Sequence, residues 1–580
     1  MDCNPFIKLI LTRCIHCTRC IRFLREIAGN YSLGMLGRGQ FSEIGLYTNN
    51  VLVNELSSNI IEFCPVGALT SKSYALSYRN WDFYYTDSID IMDSFLSSVR
   101  IYHDNFKIKR ILSSYNFNFD AYWISDKSRY FFDSLKIQRL SFPLKLKKLN
   151  VNNLDYKYLH IVVSWKNISN YLFDYININP KKLLIKSFLG DFIDLEAIKN
   201  FKLLTNKLGS SLFVNKSELS SLEIKYNDLN FDKEKSYIDN FDNLLYNYDM
   251  YIFYNYNLRI ENPVFNSKLR QRVVWFNFNN IYIFGTNYNL TYKYYYLGNS
   301  TNDFIKFLIG KHWVCNLLLK QNKICFLYGN TIFQDYFFKK NWLIYYSKLI
   351  CLKNNLFKFN KKELNIIYLS SSLTSISSFD LNFYSNKIDK INLLSNNLLN
   401  YYIGINIVNQ RSNNFKLYLN KYKHNFYIYQ NSFFDNYFNY CNIMLPAYNC
   451  FEVDNLFFIN IMGLVKQNSK LEVNFEKFVK TNNEAIKFIF KTINFNIEIN
   501  SLLKITNFLP INTFKKTRKI YEFNIINKFI FNNFLLFKYK NFYLISLNKN
   551  FYKCNIYSFY SKQLNLMSNL FFNEKSNFDL

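Results

Sequence analysis

At 580 residues, with 49% hydrophobic and 19% charged side chains, the chain carries enough apolar surface for a multi-domain core, which excludes a disordered protein. Its net charge of +29 comes from 71 Lys+Arg against 42 Asp+Glu, but the basic residues are spread out instead of gathered into runs, which argues against a nucleic-acid groove. No run of about eighteen apolar residues is free of Lys, Asn or Asp, so the sequence predicts no membrane-spanning helix.

The first element is "TRCIHCTRCIRF", Thr12 to Phe23. Cys14, Cys17 and Cys20 stand at the C-x2-C-x2-C spacing in which one loop wraps three thiolates around a cubane, each on a different iron. A fourth thiolate is then required. Cys64 is the candidate, because it opens "CPVGAL", and a Cys-Pro step closes the cysteine run of bacterial ferredoxins, where proline turns the chain away. Val66, Ala68 and Leu69 are placed to keep water off such a cluster. Zinc is the competing ligand, but its all-cysteine sites favour two separated C-x2-C pairs. The pattern therefore predicts one [4Fe-4S] cluster. Cys3 lies outside the even spacing and reads as a plain thiol, and His16 as an exposed spacer. Arg13, Arg19 and Arg22 bring positive charge that favours the reduced state or pairs with a partner subunit.

After Cys20, "IRFLREIAGN" places Ile21, Phe23, Leu24, Ile27 and Ala28 on one helical face, with Gly29 or Asn30 as the stop. "GMLGRG", with Gly34, Gly37 and Gly39, lacks the setting of a phosphate loop and predicts tight turns over the cluster. "NVLVNEL" and "NIIEF" read as short strands that bring Cys64 back.

Further on, apolar strands such as "YLHIVVSW", "YIFYNYN", "NIYIFG" and "KICFLYGN" alternate with helix-like stretches. That is the pattern of an α/β sheet covered on both faces. From residue 210 onward the only glycines are Gly285, Gly298, Gly310, Gly329, Gly404 and Gly463, too few for the Gly-rich turns that hold the phosphates of a dinucleotide. Cys315, Cys325, Cys351, Cys441, Cys450 and Cys554 are scattered and read as ordinary thiols. The wealth of Phe, Tyr, Ile, Asn and Lys matches A- and T-rich codons and fits an organelle genome. The N-terminus has neither an apolar signal core nor an Arg- and Ser-rich presequence, so import from outside is not expected.

The pieces "TRCIHCTRCIRF", "EIAG", "LGRG", "SSNIIEFCPVGALTSK" and "YALSYRNWDF" closely resemble the largest iron–sulfur subunit of respiratory complex I, the G-type or seventy-five-kilodalton family. "TDSIDIMDS", "WISDKSRYFFDSLKIQRL", "NYNLRIENPVFNSKLRQRV" and "IMLPAYNCFEVDNLFFINIMGLVKQ" continue the resemblance in order, and Asn541 to Ser558 resembles the family's tail. The resemblance implies a fold that is α+β and then α/β: a small ferredoxin-like [4Fe-4S] module over 1–80, a β-rich domain without a cluster over 81–145, a degenerate molybdopterin-oxidoreductase-like scaffold over 146–470, and a C-terminal region over 471–580. It carries the family's cluster ligands onto Cys14, Cys17, Cys20 and Cys64 and implies no molybdopterin. The implied role is relay of single electrons from NADH toward ubiquinone, without a substrate site or membrane span of its own, in the peripheral arm on the matrix side of the mitochondrial inner membrane. Its partners would be the other peripheral-arm subunits, including a separate chain for the [2Fe-2S] and His/Cys clusters that precede this module in the family, the alternative being that those clusters are lost. Two other readings stand beside it: an active molybdopterin-dependent dehydrogenase, and a basic organellar structural protein with a four-cysteine zinc site.

Overall fold

The computed structural model describes residues 2–47, 51–75, 78–104, 107–115, 122–152, 155–178, 184–207, 212–215, 241–318, 320–329, 363–369, 373–381, 398–405, 426–434, 441–469, 471, 478–492 and 550–578. The front module is built on short strands: β1 (Ile7–Leu9), β2 (Leu33–Leu36), β3 (Glu43–Leu46) and β4 (Leu69–Ser71). β1 pairs antiparallel with β4, Leu9 opposite Leu69, which ties together the two ends of the cysteine-bearing segment.

Between those ends, α1 (Arg19–Arg22) runs on into a π-helical stretch, Phe23–Ala28, and stops at Gly29 with φ +74°. The predicted apolar face is buried through Ile21, Phe23, Leu24 and Ala28. Glycine is required at the stop for a second reason, since a Cβ there would lie 2.5 Å from the Thr291 side chain. "GMLGRG" is only partly the expected set of turns. Gly34 sits inside β2, paired with Gly45 of β3, and the chain turns from Gly37 onward.

"NIIEF" is not a strand. Ser57–Asn59 forms a 3-10 turn that continues as α2 (Ile60–Phe63), and "NVLVNEL" forms no strand over its described residues 51–56. The apolar run of Ile60, Ile61 and Phe63 fits either period over so short a length. Helix is decided by a carboxylate from outside the segment: Asp126 accepts from Ser57 Oγ and Ser58 N at its start.

Next come three antiparallel strands, β5 (Tyr84–Ile89), β6 (Ser98–Asp104) and β7 (Lys107–Ser113). They are followed by α3 (Asp126–Tyr130), whose start is capped by Ser125 accepting from Ser128 N.

The remainder carries two larger sheets. One contains β8 (Leu144–Asn152), β9 (Asp155–Val162), β10 (Leu184–Leu189), β11 (Leu212–Asn215) and three later strands, and all four predicted apolar runs become strands of one sheet or the other. The second is wholly parallel: β12 (Met250–Tyr254), β13 (Ile281–Phe284), β14 (Tyr295–Gly298), β15 (Lys323–Gly329) and β16 (Glu363–Leu369), in spatial order β14-β13-β12-β15-β16. The first sheet is completed by β17 (Leu398–Ile403), β18 (Phe426–Asn431) and β19 (Ile443–Pro446), in the order β11-β10-β17-β18-β19-β8-β9. Its β8 and β9 are antiparallel additions at one edge, and the rest is parallel. A β-hairpin of β20 (Phe457–Ile459) and β21 (Val465–Gln467) turns at Gly463.

The C-terminal helices Ile556–Tyr560 and Lys562–Phe578 return to the front of the molecule. Tyr552 Oη donates to the carbonyl of Asn54 at 3.0 Å, and Ser561 Oγ to that of Tyr130 at 3.3 Å. Part of the tail expected over Asn541 to Ser558 lies outside the described residues. Among the described residues no helix is long and apolar enough to cross a membrane.

Candidate functional site

Two spacer residues shape the first cysteine loop. His16 and Thr18 both adopt left-handed backbone, at φ 55° and 58°, a conformation that costs a side-chain-bearing residue and is held only where surrounding structure demands it. The loop thereby wraps inward, and Cys20 is delivered from the start of α1. Cys64 follows α2 with extended backbone, as the proline after it requires.

All four predicted cysteines line one cavity, together with Leu9, Ile15, Arg19, Ile44, Val66, Ala68 and Leu69. Leu9, Ile44, Ala68 and Leu69 are each 2% exposed and form its inner wall. Val66 was expected in that wall but is 37% exposed, so it joins Ile15 and Cys17 on the open side. Cys20 is buried, and burial pushes its thiol up to about 11, with the other three cysteines adding to the effect. Such a thiol is a poor anion by itself and needs a cationic partner to become a thiolate.

Backbone N–H groups point at cysteine sulfur, among them His16 N at 3.4 Å from Cys14 Sγ, Leu69 N at 3.5 Å from Cys64 Sγ, and Ile21 N toward Cys20. Arg13, Arg19 and Arg22 are exposed, and Arg22 pairs with Glu26 at 3.2 Å. His16 is exposed, as its spacer role predicts.

Among the described residues no three His, Cys, Asp or Glu side chains converge on a point that would hold one ion. Four thiols from two segments that line one cavity are a donor set of the kind a [4Fe-4S] cage takes, each sulfur on a different iron. The donor set therefore fits an iron–sulfur cluster. Cys3 is fully buried, its thiol raised to about 11 by desolvation, and it does not line the cavity. Cys325, Cys441 and Cys450 are buried, Cys315 and Cys554 partly so, and Cys351 lies outside the described residues.

Comparison with known families places three matches along the chain. Residues 4–70 match the ferredoxin-like domain of NADH-quinone oxidoreductase subunit 3, residues 84–133 the NADH-ubiquinone oxidoreductase NDSU1/NuoG-like 4Fe-4S domain, and residues 157–488 molybdopterin oxidoreductase. The 75 kDa subunit of NADH-ubiquinone oxidoreductase from Reclinomonas americana is 35% identical over 66% of this chain and 55% of its own length. That from Acanthamoeba castellanii is 31% identical over 81% of this chain and 65% of its own. This chain belongs to the family of the 75 kDa iron–sulfur subunit of complex I.

It spans between 39% and 65% of the length of the curated family members it is compared with, 48% in the case of the mitochondrial iron–sulfur protein 1 from Solanum tuberosum. The family match over 84–133 is described as a 4Fe-4S domain, yet this stretch contains no cysteine here.

The molybdopterin oxidoreductase match raises the question of a pterin cofactor. The parallel sheet has its first strand, β12, in the middle and reverses direction between β12 and β15, and in such sheets a ligand enters the crevice beyond the strand ends at that reversal. Here Tyr256, just after β12, is fully buried in that position, and a Cβ on Gly329 at the end of β15 would lie 2.1 Å from its ring. Its hydroxyl accepts from Asn262 Nδ2, and Asn262 Oδ1 accepts from Ser94 Oγ at 3.0 Å. After β14, the start of helix Thr301–Ile309 faces its own Asp303, which accepts from Ser300 Oγ at 2.7 Å. A phosphate would meet that carboxylate. Tyr256 thus fills the crevice at this reversal, and a carboxylate stands at the start of the next helix.

Proposed function

We propose that this chain is the electron-relay subunit of a mitochondrial NADH:ubiquinone oxidoreductase and holds one [4Fe-4S] cluster on Cys14, Cys17, Cys20 and Cys64. The observation that carries the proposal is that four thiols from two segments 44 residues apart, Cys20 to Cys64, line a single cavity. When bound, the cluster would supply reversible one-electron chemistry.

The chain's own residues then do the tuning. Leu9, Ile44, Ala68 and Leu69 keep water from the inner side, and His16 N and Leu69 N donate to sulfur that gains negative charge on reduction. Exposed Arg13, Arg19 and Arg22 act in the same direction and raise the potential. The open side, with Ile15, Cys17 and Val66, is where electrons would enter or leave. In the α/β half, Tyr256 fills the crevice at the reversal of the parallel sheet and Asp303 stands at the start of the next helix, which supports a scaffold role without molybdopterin. Other peripheral-arm subunits are the proposed partners and would carry the NADH and quinone sites, on the matrix side of the inner membrane. The A- and T-rich codon usage supports an organelle gene.

The test is anaerobic isolation of the native assembly with metal and sulfide analysis and electron paramagnetic resonance. The expected result is iron with acid-labile sulfide and a cluster signal that Cys64→Ala abolishes. Zinc without sulfide, molybdenum or tungsten in the chain, or a signal surviving Cys64→Ala would overturn the proposal.

A further inference from the structure

Three cysteines share one loop, so their spacing is set locally, whereas Cys64 must be held in place from elsewhere. On its C-terminal side the nearest anchor is β4, five residues on. On its N-terminal side is α2, a helix of four residues, far below the length at which a helix holds itself together. That helix has no side-chain cap of its own.

The missing support comes from α3, on the domain that follows. Asp126 is fully buried, and its carboxylate accepts from Ser57 Oγ at 2.6 Å and from Ser58 N at 2.9 Å, while its own N–H donates to the Glu55 carbonyl at 2.9 Å. Arg129, 4% exposed, donates from Nη2 to Asn59 Oδ1 at 2.9 Å and pairs through Nη1 with Glu62. Asn59 is locked further, its Nδ2 donating to the Ile124 carbonyl at 2.8 Å and its Oδ1 accepting from Ile124 N at 3.1 Å. Residues 55, 57, 58, 59 and 62 are thus gripped in succession, and the last lies two positions before Cys64.

We infer that Asp126 and Arg129 are positioning residues for Cys64: an acid at the start of the segment and a base near its end fix where the fourth thiolate meets the cage. This rests on the reading of Cys64 as a ligand. The grip crosses from the cysteine-free domain, which gives that domain a part in holding a cluster it does not ligate. Partners of this kind around metal ligands typically control metal retention by about 10- to 100-fold.

The experiment uses the full chain in its native assembly and reads three quantities: iron release to a chelator, the cluster's paramagnetic signal and its midpoint potential. Arg129→Ala is expected to speed iron release by about 10- to 100-fold and to shift the signal, and Arg129→Lys, which keeps the charge but not the fork, to restore part of both. Asp126→Asn keeps the size of the side chain and gives a second, milder reading if Arg129→Ala does not accumulate. Release at the wild-type rate with an unaltered signal and potential, including the case where only thermal stability falls, overturns the inference. Cys64→Ala, made in parallel, separates the two ideas. If it retains the cluster, the ligand assignment fails; if it loses the cluster while the Arg129 and Asp126 variants behave as wild type, only the positioning role fails.

Discussion

Arg270 donates from Nη2 to the backbone carbonyl of Arg25 at 2.8 Å and from Nε to that of Glu26 at 3.2 Å. A side chain from helix Pro263–Phe276 in the α/β half therefore closes the end of the helix that begins at Arg19. The same guanidinium bonds the carbonyl of Thr291, and Gly29 packs against both residues. The front module is held to the scaffold by charge-assisted bonds to carbonyls of this helix end.

Arg270→Ala should lower stability by about 2–3 kcal/mol, because it strands partly buried carbonyls as well as removing the bonds. Thermal melting of the purified chain reads the loss, and limited proteolysis should show cleavage beginning near residues 25–30. A variant that melts with wild type would mean that water replaces the guanidinium at no cost.

The cysteines should separate into two classes. Cys3→Ala is expected to retain about four irons and four sulfides per chain and to lose only about 1 kcal/mol of stability, the usual cost of a small core change. Cys20→Ala should lose the cluster. Iron and sulfide analysis after anaerobic reconstitution distinguishes them, and equal iron content in the two variants would contradict the assignment.

Asp90 predicts a pH dependence. It is 2% exposed, and desolvation first and the charge of Asp93 second push its carboxyl up to about 7, against bonds from Ser128 and Met92 N and the field of Lys127. The folded chain keeps that proton to about pH 7, while the unfolded chain releases it near 3.8. Unfolding therefore releases a proton in between, so this contribution is full below pH 3.8 and is lost as pH rises to 7, at up to about 1.4 kcal/mol per pH unit. Asp126 and Asp194 are shifted the same way, to about 7 and about 6, which steepens the wild-type curve. Melting of Asp90→Asn against wild type at pH 5, 6, 7 and 8 should show a gap that moves in favour of the variant up to pH 7 and then stays level. A gap independent of pH would rule this out.

Gly190 and Gly404 end the neighbouring strands β10 and β17 in backbone contact, where a Cβ on Gly190 would lie 1.8 Å from the Gly404 carbonyl oxygen. Gly190→Ala has no flexible side chain to push aside and should cost about 3 kcal/mol. Circular dichroism and yield of soluble chain read the effect, and wild-type melting would show that the two strands can part freely.

Much of the site was legible in the sequence because its signals are local. Thiolates spaced three apart on one loop, a Cys-Pro step and an apolar face ending at Gly29 depend on neighbours within a turn or two, and "YIFYNYN" or "KICFLYGN" is apolar enough to declare a buried strand whatever lies around it. Three features depended on residues far apart in the chain. "NIIEF" is helical because a carboxylate some 68 residues on caps its first turn. Tyr256 fills the sheet's reversal point only because Gly329 leaves it room. Tyr552 reaches Asn54 across 498 residues, a contact no periodicity announces. The sequence by itself determined which atoms are available to hold iron, since ligand chemistry resides in residue type and short spacing. Only the tertiary structure decided how the segment before Cys64 is held in place and what fills the crevice at the reversal of the parallel sheet, since both are set by packing between segments that meet only once the chain has folded.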